Sequence, residues 1–129
     1  MRTVLVVDDS QTTLDSLSLV LEDAGYNVVC CREPYRALEL CREIHFDVVM
    51  CDVYMQSAAS GKPGSPLAGI DVIWSLSEEF PSMPLIAMSG YLEEEQLQRI
   101  RRANVAAVLS KPFGRAELLA ALEAAFKDG

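Results

Sequence analysis

Five residues carry groups suited to phosphoryl chemistry: Asp8, Asp9, Asp52, Ser89 and Lys111. Each stands at the end of a short apolar run. Val4-Leu5-Val6-Val7 leads into Asp8-Asp9, and Val48-Val49-Met50-Cys51 into Asp52. Leu85-Ile86-Ala87-Met88 leads into Ser89-Gly90, and residues 105–109 lead, one residue on, to Lys111-Pro112. Two carboxylates about 4 Å apart repel by roughly 4 kcal/mol at an effective dielectric of 20. A hard divalent cation with oxygen ligands, Mg²⁺ above all, offsets that repulsion best and also screens an incoming phosphoryl group. Lys111 supplies a point charge for one phosphoryl oxygen, and the Ser89 hydroxyl supplies a neutral donor for another. Asp52 is then the nucleophile, since carboxylates form aspartyl-phosphates.

The elements that must position these groups follow from hydrophobic patterning. Continuous apolar runs without alternation suit strands covered on both faces, and the pattern places five strands near residues 4–7, 27–31, 47–53, 85–88 and 105–109. Between them lie helical stripes. Ser10 is placed to cap the first helix, with Leu14, Leu17 and Leu21 on one face and Gly25 at its end. Glu33-Pro34 opens a second helix that runs to about residue 44. A third spans about 67–79 and stops before Pro81. A fourth, heavily charged with a narrow apolar stripe, spans 92–103, with Asn104 in a left-handed cap. The last opens at Gly114 and carries Leu118, Leu119, Leu122 and Phe126.

Alternating strands and helices with right-handed crossovers give a doubly wound, flavodoxin-like α/β domain. Its five parallel strands are expected in the order 2-1-3-4-5. In that order the first and third strands are neighbours, so Asp8, Asp9 and Asp52 meet at the switch point on the carboxyl edge. The 129 residues read as one domain. One segment, residues 56–68, is rich in Ser, Gly, Pro and Ala and reads as an inserted loop. It exceeds the roughly 2–6 residues usual between strand and helix.

Composition narrows the function. Half of the residues are hydrophobic and 23% are charged, which is ordinary for a globular domain. The net charge of −8 disfavours direct contact with nucleic acid, which demands clustered Lys and Arg. No apolar run is long enough to span a bilayer, and Met1-Arg2-Thr3 leads straight into a strand without a secretory pattern. Cys30, Cys31, Cys41 and Cys51 lack paired spacing and read as free thiols in a reducing cytoplasm, with Cys30 and Cys31 on opposite strand faces. His45, the one histidine, reads as a surface residue at a helix end.

The chain resembles, from end to end, the receiver domain of two-component response regulators. The residues carrying the resemblance are Val4 to Asp9, Val48 to Val53, Ala68-Gly69-Ile70-Asp71-Val72-Ile73, Met88-Ser89-Gly90 and Ser110-Lys111-Pro112-Phe113. It implies a phosphoacceptor signalling domain rather than an enzyme, with slow self-dephosphorylation at most. Phosphoryl transfer to Asp52 from a histidine kinase or histidine phosphotransfer protein is implied, with output through an unidentified protein partner. It further implies that Asp9 ligates Mg²⁺ directly, Asp8 mostly through water, and the Tyr54 backbone carbonyl as well. Ser89 is the hydroxyl that moves towards the phosphoryl group, and the Lys111-Pro112 bond is expected cis.

Departures from the family pattern are equally specific. Gln56 follows Met55 where Pro is usual, and the inserted loop comes next. Val108 occupies the place of an aromatic switch residue, and Asn104 stands where Gly is usual. The resemblance implies that Tyr54 and Tyr91 flank the path of hydrolytic water, and Trp74 falls at a position that is usually polar and exposed in the family. The inserted loop and Val108 keep open a receiver-like interaction module that acts without phosphorylation. A haloacid-dehalogenase-like phosphatase needs a second Asp where Tyr54 stands. A flavodoxin-like cofactor carrier needs a phosphate loop at Ser10-Gln11-Thr12-Thr13, beside two repelling aspartates.

Overall fold

The structure is a computed structural model that describes residues 1–55, 68–90 and 93–127. Residues 56–67, which hold nearly all of the inserted loop, lie outside the described residues, as does Tyr91. The elements run β1 (Thr3–Val7), α1 (Gln11–Asp23), β2 (Asn27–Cys31), α2 (Pro34–Glu43), β3 (Val48–Asp52), α3 (Ala68–Glu79), β4 (Leu85–Ser89), α4 (Glu94–Arg102), β5 (Ala107–Ser110) and α5 (Arg115–Lys127). All strand pairs are parallel, and the sheet order is β2-β1-β3-β4-β5, as the patterning predicts.

Every residue of β3 and β4 is buried, as their unbroken apolarity requires of inner strands. One face carries Leu5, Val7, Val49, Cys51, Leu85 and Ala87, packed beneath Ile70, Ile73 and Leu76 of α3 and Ala37 of α2. The other carries Val4, Val6, Val48, Met50, Ile86 and Met88, packed beneath Leu14, Leu17 and Leu21 of α1 and Leu118 and Leu122 of α5. Alternation along each strand thus feeds two cores, one on either side of the sheet.

Local chemistry sets the boundaries. Ser10 Oγ accepts from the Thr13 N–H at 3.3 Å and caps α1. Gly25 closes that helix with φ +97°, and Asn104 takes the left-handed turn after α4 with φ 62°. Pro34 occupies the first turn of α2. His45 is exposed, with Nε2 3.5 Å from Asp47. Three details differ from expectation. α4 starts two residues later than position 92, because Glu93 is its N-cap. β5 starts at Ala107 rather than 105, where pairing with Ile86 begins. In α5 the fully covered stripe is Leu118, Ala121, Leu122 and Ala125. Phe126 is only partly buried, stacked on Tyr26 at 6.1 Å and lying 3.8 Å beneath the Arg2 guanidinium.

Candidate functional site

Strand register brings the acids together. Val7 pairs with Cys51, so one step further along the chains Asp8 and Asp52 stand side by side at the tips of β1 and β3. Asp8, Asp9 and Asp52 each offer a carboxylate oxygen, and these oxygens lie within 4.8 Å of one another. The ladder is extended past the strand ends. Asp8 N–H donates to Cys31 O at 3.0 Å, Val53 N–H to Met88 O at 2.9 Å, and Lys111 N–H to Ser89 O at 2.6 Å. These bonds tie the tip of β1 to β2 and the tips of β3, β4 and β5 to one another, and the β1–β3 register joins the two groups, so five functional side chains from distant parts of the chain share one edge.

Lys111 is the hub. Its Nζ donates to Asp8 Oδ2 at 2.7 Å and to Asp52 Oδ2 at 2.8 Å. The peptide bond that follows, Lys111-Pro112, is cis, as expected. The other oxygens are also held: Asp8 Oδ1 accepts from the Ser10 N–H at 2.9 Å, and Asp52 Oδ1 from the Tyr54 N–H at 3.0 Å. Asp8 is fully buried and Asp52 nearly so. Asp9 is partly exposed, and its carbonyl accepts from Arg32 at 3.1 and 3.3 Å.

Burial pushes the Asp52 carboxyl up to about 6, with the Asp8 charge acting in the same direction and Lys111 opposing. Lys111 feels the converse. Burial disfavours its charge, yet its hydrogen bonds to Asp52 and Asp8 outweigh that and hold its pKa above the usual range. One lysine thus pairs with two buried carboxylates while the partly exposed Asp9 carboxylate stands close to both, an excess of negative charge. The donor set, three hard oxygens in a small volume, suits a divalent cation such as Mg²⁺.

Ser89 Oγ is buried and has no hydrogen-bond partner among the described residues. An unmet buried hydroxyl is unfavourable and needs a reason. It sits at the end of β4, one strand over from Asp52. Above these groups lies a pocket of about 500 Å³ lined by Asp52, Tyr54, Gly90, Glu93, Gln96 and Lys111. A groove of about 780 Å³ lies at the opposite edge between Arg2, Phe46, Phe80 and Phe126 and holds none of the five site residues.

Tyr54 is about half exposed beside Asp52. The Trp74 expectation needs correction. Its ring is partly buried against the α2–α3 core, and its indole N–H is buried without a partner among the described residues, so it is not an exposed anchor. Position 74 lies one helical turn after Ile70, on the covered side of α3. Sequence reasoning also missed Glu93 and Gln96. Their Glu-x-x-Gln spacing is a helix-capping signal, obscured by starting the helix at residue 92.

The doubly wound sheet thus gathers acids, a hydroxyl and a lysine on its carboxyl edge. The response regulator receiver domain family matches residues 4–123. The chain belongs to this family, whose members are signalling domains of two-component systems. The polar-differentiation response regulator DivK of Brucella ovis is 26% identical over 87% of this chain and 85% of its own length. Chemotaxis protein CheY4 of Vibrio cholerae superposes with a TM-score of 0.83 at 26% identity, covering 97% of this chain and 98% of that one. A receiver domain protein from Methanospirillum hungatei has the same fold, with a TM-score of 0.84 at 22% identity, covering all of this chain and 99% of that one. Among the described residues, no helix is long and apolar enough to cross a membrane.

Proposed function

We propose that Asp52 accepts a phosphoryl group from a histidine kinase or histidine phosphotransfer protein in the cytoplasm. The phosphorylated domain then signals by binding a protein partner. The observation that carries this reading is Lys111 Nζ bridging Asp8 and Asp52, together with a buried Ser89 hydroxyl that has no hydrogen-bond partner among the described residues. Both groups are donors with something to gain from a phosphoryl group on Asp52.

In the transfer, an Asp52 oxygen forms a bond to phosphorus while the bond from phosphorus to the donor imidazole nitrogen breaks. That nitrogen leaves with the electron pair. Lys111 stays charged and turns part of its hydrogen bonding from carboxylate to phosphoryl oxygen. Ser89 donates its hydroxyl to a second oxygen. Asp8, Asp9, Asp52 and the Tyr54 carbonyl would hold Mg²⁺, which when bound screens the phosphoryl oxygens from the carboxylates. The Tyr54 N–H bond to Asp52 Oδ1 keeps the nucleophile oriented.

Labelling by a phosphodonor tests the reading. Wild-type protein is expected to be labelled only with Mg²⁺ present. Asp52→Asn should abolish labelling, and Asp9→Ala should weaken metal binding and labelling together. A folded, Mg²⁺-bound protein that stays unlabelled by acetyl phosphate and by kinases would instead support an interaction module that works without phosphorylation.

A further inference from the structure

The mouth of the phosphoryl pocket carries a charge that the chemistry described so far leaves unused. Glu93, the N-cap of α4, lines the pocket together with Asp52 and Lys111. Its backbone is tied to the first turn of the helix, where Gln96 Oε1 accepts from the Glu93 N–H at 3.1 Å. A carboxylate at the start of α4 is favourable for the helix dipole. It also places a fourth negative charge over a site that already holds three carboxylates and one lysine. Among the described residues no basic side chain other than Lys111 lines this pocket. The helix's own arginines, Arg99, Arg101 and Arg102, lie in its last turn.

We propose that Glu93 is a specificity-determining residue, an electrostatic filter that disfavours small, multiply charged anionic phosphodonors at Asp52. This rests on Asp52 being the phosphoacceptor. With acetyl phosphate, an Asp52 oxygen bonds to phosphorus as the bond to the acetyl oxygen breaks, and acetate leaves with the electron pair. The donor must first bring two negative charges past Glu93. A protein donor presents its phosphohistidine within a surface whose own cations offset that repulsion, so the filter selects for protein donors over small metabolite donors. The repulsion falls with distance and is screened by salt, as for any pair of partly hydrated charges.

The test compares two small donors that differ in net charge. Acetyl phosphate is a dianion at neutral pH, and phosphoramidate carries one negative charge fewer. Glu93→Gln keeps the side chain's length but removes the charge, whereas Glu93→Ala removes both. In Mg²⁺ at low salt, Glu93→Gln is expected to speed labelling by acetyl phosphate about three- to tenfold. Labelling by phosphoramidate should rise by a smaller factor, and both gains should shrink as salt is added. Glu93→Ala should show the same donor ranking, with added loss of helix stability by circular dichroism. Equal rate changes for both donors, or changes insensitive to salt, would assign Glu93 a purely structural capping role and overturn the filter. Absence of labelling in wild type and variants alike would instead count against Asp52 as acceptor. The two failures are therefore distinguishable.

Discussion

Asp52 is a carboxylate held where it is poorly solvated, and its stability linkage follows from that. Its folded-state pKa of about 6 lies above the ordinary 3.8, so between these values the folded protein binds more proton than the unfolded chain. Stability in metal-free buffer should therefore fall as pH rises from about 4 to about 6 and stay lower above. A shift of this size corresponds to at most about 3 kcal/mol, so Asp52→Asn should stabilise the metal-free protein by about 1–3 kcal/mol at pH 7 and flatten that fall. Urea unfolding of wild type and variant in EDTA at pH 4 and pH 7 checks it. Equal stability at both pH values would contradict the buried-charge account. The thiols make a second residue-scale prediction. Burial pushes Cys41 up to about 11 and raises Cys31 and Cys51 as well, while Cys30 is exposed beside Ser18. Iodoacetamide should modify Cys30 first in the folded protein and reach the other three only on unfolding, as peptide mass mapping would show.

At the scale of elements, the end of β3 and the start of α3 meet at one close approach. A Cβ at Gly69 would overlap the Asp52 carbonyl oxygen and lie 2.6 Å from that of Val53. Gly69→Ala must therefore push α3 away from the strand that carries the nucleophile. We expect a loss of about 1–3 kcal/mol by denaturant unfolding. Unchanged stability would mean that the contact relaxes freely. The same elements show what was legible in the sequence. Strand positions, order and the placement of Asp8, Asp9, Asp52, Ser89 and Lys111 follow from apolar runs ending in polar residues, because both faces of a parallel sheet must be covered. The start of β5 did not follow. Val105 has a strand-like side chain, but the ladder begins only at Ala107, which pairs with Ile86, a partner distant in sequence. Trp74 was misjudged for a similar reason. A resemblance says what relatives place there, whereas its spacing from Ile70 sets it against the core of this chain. Val108 is partly buried against the same core on β5 and carries no ring to swing, so it cannot serve as an aromatic switch.

For the whole molecule, the charge of −8 and the concentration of acids at the sheet's carboxyl edge favour cations and basic protein surfaces as partners. If the cluster takes Mg²⁺ only when folded, the metal should raise the melting temperature with concentration, and Asp9→Ala should blunt that rise. An unchanged melting temperature in wild type would argue against a preformed cation site. The central claim concerns a single oxygen atom, and trapping chemistry reads it directly. Protein incubated with acetyl phosphate and Mg²⁺ is quenched with borohydride, which reduces an aspartyl-phosphate to homoserine, and the peptides are sequenced by tandem mass spectrometry. The account predicts homoserine at position 52 alone, absent without Mg²⁺. Reduction at position 8 or 9, or none anywhere in a protein that remains folded and binds Mg²⁺, would contradict it.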